Sequence, residues 1–145
     1  LEHAILQHQR SNKAFAMMFL DLDGFKIIND DFGHEYGDEL LVQAAQRLTG
    51  LLRKSDTVCR YGGDEFVVLL PSTNNVNAAL AVARKLVVHL ARPYKVKSQT
   101  LAVSVSIGVA MFPKHGVDEQ SLLRSADKAM YAAKAAGKND VRMAG

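Results

Sequence analysis

Arg60-Tyr-Gly-Gly-Asp-Glu-Phe-Val-Val-Leu-Leu70 sets two glycines and two acids between runs that read as the strands of a β-hairpin. Thr57 to Tyr61 and Phe66 to Leu70 are β-branched, aromatic or aliphatic. Gly62-Gly63 between them is expected to supply the positive-φ positions of a tight turn. Backbone without side chains at these two positions leaves room for a phosphate to approach. Asp64 and Glu65 carry negative charge into the same turn. Acidic turn residues also serve purely structural ends, so spacing alone fits a phosphate-and-metal loop and a polar turn equally well.

Upstream of the hairpin, Phe15 to Leu22 is an apolar run ending in acid. This is the pattern of a central buried strand that delivers Asp21 and Asp23 at its C-terminal edge. Strand alternation puts both on one face. Phe25 to Phe32 reads as a short helix, broken at Gly33 and Gly37. From Asp38 onward Leu40, Leu41, Ala44, Ala45, Leu48, Leu51 and Leu52 follow the helical period, with Asp38 as the start signal and N-cap. Downstream, the hairpin stops at Pro71, and the polar Ser72-Thr-Asn-Asn75 turn leads into an amphipathic helix from Asn77 to Leu90. Residues 93–97 and 100–112 form a second hairpin candidate, the later strand alternating through Leu101, Val103, Val105 and Ile107. Leu122 to Ala136 reads as a third long helix, closed by Gly137 as a C-terminal cap. The order βααβ-βα-ββ-α predicts an α+β fold, a central mixed, mostly antiparallel sheet flanked by helices.

A length of 145 residues with 48% hydrophobic composition predicts a single domain over residues 1–145 with one continuous core. The net charge of +3 and pI near 9.1 come from scattered basic residues, so no nucleic-acid polymer is expected as a partner. Cys59 stands alone in a predicted strand, which rules out a disulfide framework and predicts a buried apolar role. No apolar run approaches the ~20 residues that span a bilayer, and no signal-peptide pattern opens the chain. The domain is therefore expected in the cytoplasm without membrane contact of its own. Its first residues, from Leu1 through the polar, helix-prone Glu2 to Asn12, read as cut from a longer polypeptide whose upstream part could be sensory or membrane-anchored.

Gly62-Gly63-Asp64-Glu65-Phe66 spells the motif of the GGDEF family, and the chain resembles the GGDEF-domain diguanylate cyclases. The resemblance runs through Asp21-Leu-Asp-Gly-Phe-Lys-Ile-Ile-Asn-Asp30, Phe32-Gly-His-Glu-Tyr-Gly-Asp38, Arg53-Lys-Ser-Asp56, Ser104-Val-Ser-Ile-Gly108, Ala126-Asp-Lys-Ala-Met-Tyr-Ala-Ala-Lys134 and Gly137-Lys-Asn139. It implies a fold like the palm of nucleotidyl cyclases and polymerases. It also implies condensation of two GTP into cyclic di-GMP and two pyrophosphates, dependent on Mg²⁺ or Mn²⁺. One domain holds one GTP, so the chemistry is expected between two domains of a homodimer.

In that reaction each 3′-hydroxyl attacks the other nucleotide's α-phosphate. Mg²⁺ takes oxygen ligands, usually one or two carboxylates with phosphate oxygens completing the shell, and can stabilise attacking and leaving oxygens. The resemblance assigns the metal to Asp21, the Leu22 carbonyl and Asp64, with Glu65 close enough to share it. Asp64 is also the implied acceptor of the 3′-hydroxyl proton. Asp23 reads equally as a cap for the helix at Phe25. Asn29 and Asp38 match the family's guanine-binding pair, His34 a position lining the substrate site, and Gly62 and Gly63 the loop beside the phosphates. Taken alone, Asn29 reads as a surface helix residue and His34 as a structural histidine.

Lys134 and Lys138, spaced i and i+4 and so expected on one helix face, match the pair that contacts the β and γ phosphates. Lys138 stands where relatives more often carry Arg, which gives up a bidentate fork. Gly24 also departs from the family, where a larger residue commonly precedes Phe25. Arg53 and Asp56, five residues before Gly62, match the product-inhibition site for cyclic di-GMP, and Arg84 matches a second arginine that joins it. A plain surface ion pair is the competing reading of Arg53 and Asp56. At the level of the whole domain the alternative is a catalytically inactive GGDEF module that binds GTP or cyclic di-GMP to regulate an attached domain.

Overall fold

The structure, a computed structural model, describes residues 13–145, so the expected helix-prone segment Glu2 to Asn12 lies outside the described residues. The elements are β1 (Phe15–Asp23), α1 (Phe25–Phe32), α2 (His34–Leu51), β2 (Thr57–Arg60), β3 (Glu65–Leu70), α3 (Val76–Leu90), β4 (Tyr94–Val96), β5 (Gln99–Leu101), β6 (Ser104–Phe112), α4 (Glu119–Ala135) and β7 (Asp140–Met143). Five strands form one sheet in the order β2-β3-β1-β6-β7, antiparallel except for the β6–β7 pair. The expected α+β architecture is the observed one.

β1 is apolar without alternation because the sheet is covered on both faces. Ala16, Met18, Leu20 and Leu22 point into the larger core, shared with Leu40 and Leu48 of α2 and Leu86 and Leu90 of α3. Phe15, Met17 and Phe19 point the other way, against Leu122, Ala126 and Met130 of α4. Asp21 and Asp23 continue that second face at the end of the strand, beyond the apolar contacts of α4. The apolar body of the strand and its acidic end therefore come from one alternating pattern.

Several expectations change. Gly33, at φ 99°, separates α1 from α2, but Gly37 is buried inside α2. The helix thus starts at His34, and Asp38 is not its N-cap. A glycine costs only about 1 kcal/mol inside a helix, and here the missing side chain has a use: a Cβ on Gly37 would collide with Oδ1 of Asn29. Residues 100–112 are also not one strand. β5 pairs with β4 in a separate two-stranded sheet, while β6 lies between β1 and β7. Leu101, Val103, Val105 and Ile107 all enter the larger core, which is why they read as continuous. Finally, the sequence reading omits β7, a four-residue, partly exposed edge strand too short for a period to show. Cys59, expected to be buried, is half-buried on the edge strand β2.

Candidate active site

The acids of β1 meet the hairpin through backbone register. Asp21 is paired with Glu65 across β3 and with Ser106 across β6. The Leu22 amide donates to the Asp64 carbonyl at 3.1 Å, which pins Asp64 beside Asp21 and Leu22. In an extended strand a residue turns its N–H and C=O to the same neighbour, so the Leu22 carbonyl also faces the hairpin tip.

That tip is a four-residue connection, Tyr61 to Asp64, between β2 and β3. Tyr61 donates its amide to the Glu65 carbonyl at 2.8 Å, and the Arg60 guanidinium donates to the carbonyls of Gly62 (3.2 Å) and Gly63 (2.8 Å). The positive-φ glycines of the domain are Gly24, Gly33 and Gly137, so the expected positive φ at Gly62 and Gly63 is not found. A two-residue primed turn needs φ above zero, and a longer connection does not. Gly62 lies close under the Glu65 carboxylate, which a Cβ there would displace, while Gly63 opens onto free space. Tyr61 lies edge-on against Phe19 at 5.3 Å between ring centres, seating the tip on the α4 side of the sheet.

Asp21 and Asp23 share one cation. Lys134 Nζ stands 3.1 Å from Asp21 Oδ2 and 3.2 Å from Asp23 Oδ1. The second Asp21 oxygen, Oδ1, is buried and has no hydrogen-bond partner among the described residues. Burial pushes the Asp21 carboxyl up to about 6, with the Asp64 charge adding to the rise and Lys134 opposing it. Burial also raises Glu65, helped by the charges of Asp64 and Asp127. Asp23 behaves oppositely. Burial works to raise it, but hydrogen bonds from Ser104, Ser106, the Asn139 amide and Lys134 hold it below the usual carboxylate value. Lys134 is itself raised, its two carboxylates outweighing the opposing effect of burial.

No trio of Asp, Glu, His or Cys among the described residues forms a metal cage. Mg²⁺ does not need one, because it usually takes one or two carboxylates and fills its shell with water and phosphate. The residues present fit such an ion: Asp21 offers an unsatisfied buried oxygen, with the Leu22 carbonyl and Asp64 beside it.

Asn29 is half-buried with its Oδ1 unpartnered, which removes its reading as a surface residue. His34 is exposed at the first turn of α2. Asp38, also exposed, lines a cleft of about 470 Å³ with Leu41, Val42, Val58, Arg60 and Phe66. Lys138 lies past the end of α4 at φ 65°, so it does not share a helix face with Lys134 as expected. Arg53 and Asp56 form a turn rather than an ion pair: Asp56 Oδ2 accepts from the Arg53 amide at 2.8 Å, and the Asp56 amide returns to the Arg53 carbonyl at 3.0 Å. The Arg53 side chain is exposed, as is Arg84 on α3. Gly24 caps α1 at φ 81° with no side-chain bond, so Asp23 is not the cap of that helix. Sequence reasoning missed the Asp23 network and the Arg60 clamp. The signal for the first was the Ser104-Val-Ser106 alternation in an otherwise apolar strand.

An acidic strand end beside an acidic hairpin, on a mostly antiparallel sheet, defines a palm-like α+β domain. Residues 1–140 match the family model described as diguanylate cyclase, GGDEF domain, and the chain belongs to the GGDEF family. It is 44% identical over 139 residues to the bifunctional diguanylate cyclase/cyclic di-GMP phosphodiesterase MucR of Pseudomonas aeruginosa, covering 96% of this chain and 20% of that protein. The solved GGDEF domain of TpbB from Pseudomonas aeruginosa matches with a TM-score of 0.94 at 38% identity, covering 100% of this chain and 91% of that one. The GGDEF domain of DgcB from Caulobacter crescentus, solved in complex with c-di-GMP, matches at 0.87 and 28% identity over 99% of this chain and 85% of that one. The chain thus spans about a fifth of the length of MucR.

Proposed function

We propose that this domain is an active diguanylate cyclase that condenses two GTP into cyclic di-GMP and two pyrophosphates in the cytoplasm. The observation that carries the reading is the junction of Asp21, Leu22 and Asp64, where one buried carboxylate oxygen is left without a partner. Mg²⁺ or Mn²⁺ held by Asp21, the Leu22 carbonyl and Asp64, with Glu65 in reach, would neutralise the triphosphate and polarise its α-phosphorus. Asn29 and Asp38 present a carboxamide and a carboxylate to the guanine edge, whose N1–H and N2–H₂ groups are donors, and His34 lines the same pocket. Gly62 and Gly63 keep side chains away from the phosphates, and Lys134 and Lys138 meet the β and γ groups. Asp64 accepts the 3′-hydroxyl proton as that oxygen bonds to the partner's α-phosphorus and the bond to pyrophosphate breaks. Two GTP-loaded domains must face each other, so a homodimer is the working unit.

Incubating the full-length protein with GTP and Mg²⁺ and identifying the product by mass tests this. Cyclic di-GMP with two pyrophosphates is the expected outcome. Bound GTP without product would instead establish the regulatory module.

Product feedback belongs to the same proposal. The Asp56 carboxylate shapes the turn that exposes Arg53, and a charge-assisted contact from Arg53 is typically worth ~1.5–3 kcal/mol. Arg53→Ala is therefore expected to weaken cyclic di-GMP binding roughly ten- to a hundredfold in calorimetric titration, while initial rates without product persist. Equal affinity in both proteins would remove Arg53, and with it the pairing with Arg84 of a second domain, from the inhibition site.

A further inference from the structure

We propose that Asp23 is the positioning residue for both triphosphate-facing lysines, Lys134 and Lys138, although it is assigned neither metal nor nucleotide. The inference rests on the reading of those lysines given above. Asp23 is only 6% exposed, and its two oxygens take four donors. Oδ1 accepts from Ser106 Oγ at 2.8 Å and Lys134 Nζ at 3.2 Å. Oδ2 accepts from Ser104 Oγ at 2.6 Å and the Asn139 amide at 3.1 Å. A buried carboxylate needs such partners, and the two serines come from β6, opposite the end of β1.

The bond to Asn139 holds an unusual piece of backbone. After α4 the chain passes through Gly137 (φ 122°), Lys138 (φ 65°) and Asn139 (φ 49°). A lysine in the left-handed region persists only where its surroundings hold it. Three bonds hold this turn: the Gly137 amide donates to the Lys134 carbonyl at 3.2 Å, the Lys138 amide to the Ala133 carbonyl at 3.1 Å, and the Asn139 amide to Asp23, the one side-chain acceptor among them. One carboxylate thereby fixes the Lys134 ammonium directly and the Lys138 backbone through its neighbour. Lys134 also bonds Asp21, and its second partner keeps it in place when Asp21 turns to another ligand.

The test compares affinities of wild type and Asp23→Asn for two ligands in the presence of Mg²⁺, a GTP analogue with a non-cleavable α–β linkage and GMP. Because only the analogue carries β and γ phosphates, its affinity is expected to fall about tenfold or more in Asp23→Asn, while that for GMP stays within about twofold. Equal losses for both ligands, or none, would overturn the proposal. Ser104→Ala keeps the charge and removes the shortest support, so it should shift the same two affinities in the same sense by less; it decides the matter if Asp23→Asn does not fold. Hydrogen exchange at the Asn139 amide supplies a readout independent of nucleotide. If wild type binds no GTP analogue, the cyclase reading fails, and exchange alone decides this one: faster exchange in Asp23→Asn upholds it, unchanged protection overturns it.

Discussion

Asp21 and Asp23 stand two residues apart on one face of one strand and share Lys134, yet the fold treats them in opposite ways. Around Asp23 the chain gathers two hydroxyls, a backbone amide and an ammonium, and the carboxyl is held below its usual value. Around Asp21 it leaves one oxygen buried and unpartnered, and burial lifts the carboxyl to about 6. A buried carboxylate oxygen without a partner is costly. In the proposed function the incompletely satisfied acid is the one that takes the incoming ligand, while the satisfied one belongs to the frame. The difference lies in register: Asp23 sits opposite Ser104, whereas Asp21 sits between Ser106 and the acidic Glu65.

The largest effect is expected on the unsatisfied side. Asp64→Ala should lower cyclic di-GMP formation by at least ~10²-fold, the scale of a lost general base, without lowering the urea midpoint. Undiminished turnover by a folded Asp64→Ala protein would break the assignment. Stability then separates the two aspartates. Asp23→Ala leaves buried donors without their acceptor and should cost ~1–3 kcal/mol in urea denaturation. Asp21→Asn discards a poorly satisfied charge, so its midpoint should equal or exceed that of wild type. A reversal of that order would show that Asp21, not Asp23, belongs to the frame.

The smallest effect is a slope. With the native Asp21 carboxyl at about 6 and its ordinary value at 3.8, the folded protein binds more protons than the unfolded chain between those values. Its contribution to metal-free stability therefore falls as pH rises from about 4 to 6. Asp23, with a lowered carboxyl, contributes in the opposite sense, its stabilisation present above the ordinary value and lost as pH falls through the lowered one. Denaturation of Asp21→Asn across this range should remove the Asp21 component. An unchanged pH profile would show that burial does not perturb that carboxyl.

Much of this frame was legible in the sequence because its signals are long. The apolar run of β1 ending in acids and the short helix Phe25–Phe32 stand as read, and the hairpin around Gly62-Gly63 is present without the expected positive φ at its glycines. What was not legible depends on partners distant in the chain. Asp23 looked like a helix cap because Phe25 follows it, whereas its actual donors lie 81 to 116 residues away. Lys134 and Lys138 looked like one helix face because i,i+4 spacing assumes the helix continues, and it does not. Gly37 looked like a helix break because its packing against Asn29 cannot be seen in a period. The Arg53–Asp56 spacing suggested an ion pair as the competing reading, but the carboxylate bonds the Arg53 backbone and not the guanidinium.

The central claim, that the unsatisfied Asp21 carboxylate awaits a cation and a triphosphate, is tested most directly by carbon NMR titration of that carboxyl. Spectra would be recorded without ligands and then with Mg²⁺ and a GTP analogue bearing a non-cleavable α–β linkage. In the free domain the midpoint is expected at about 6. Ligation requires the deprotonated form, so with both ligands present the midpoint should drop below the ordinary 3.8. A midpoint that stays at about 6 in the presence of both would contradict the account.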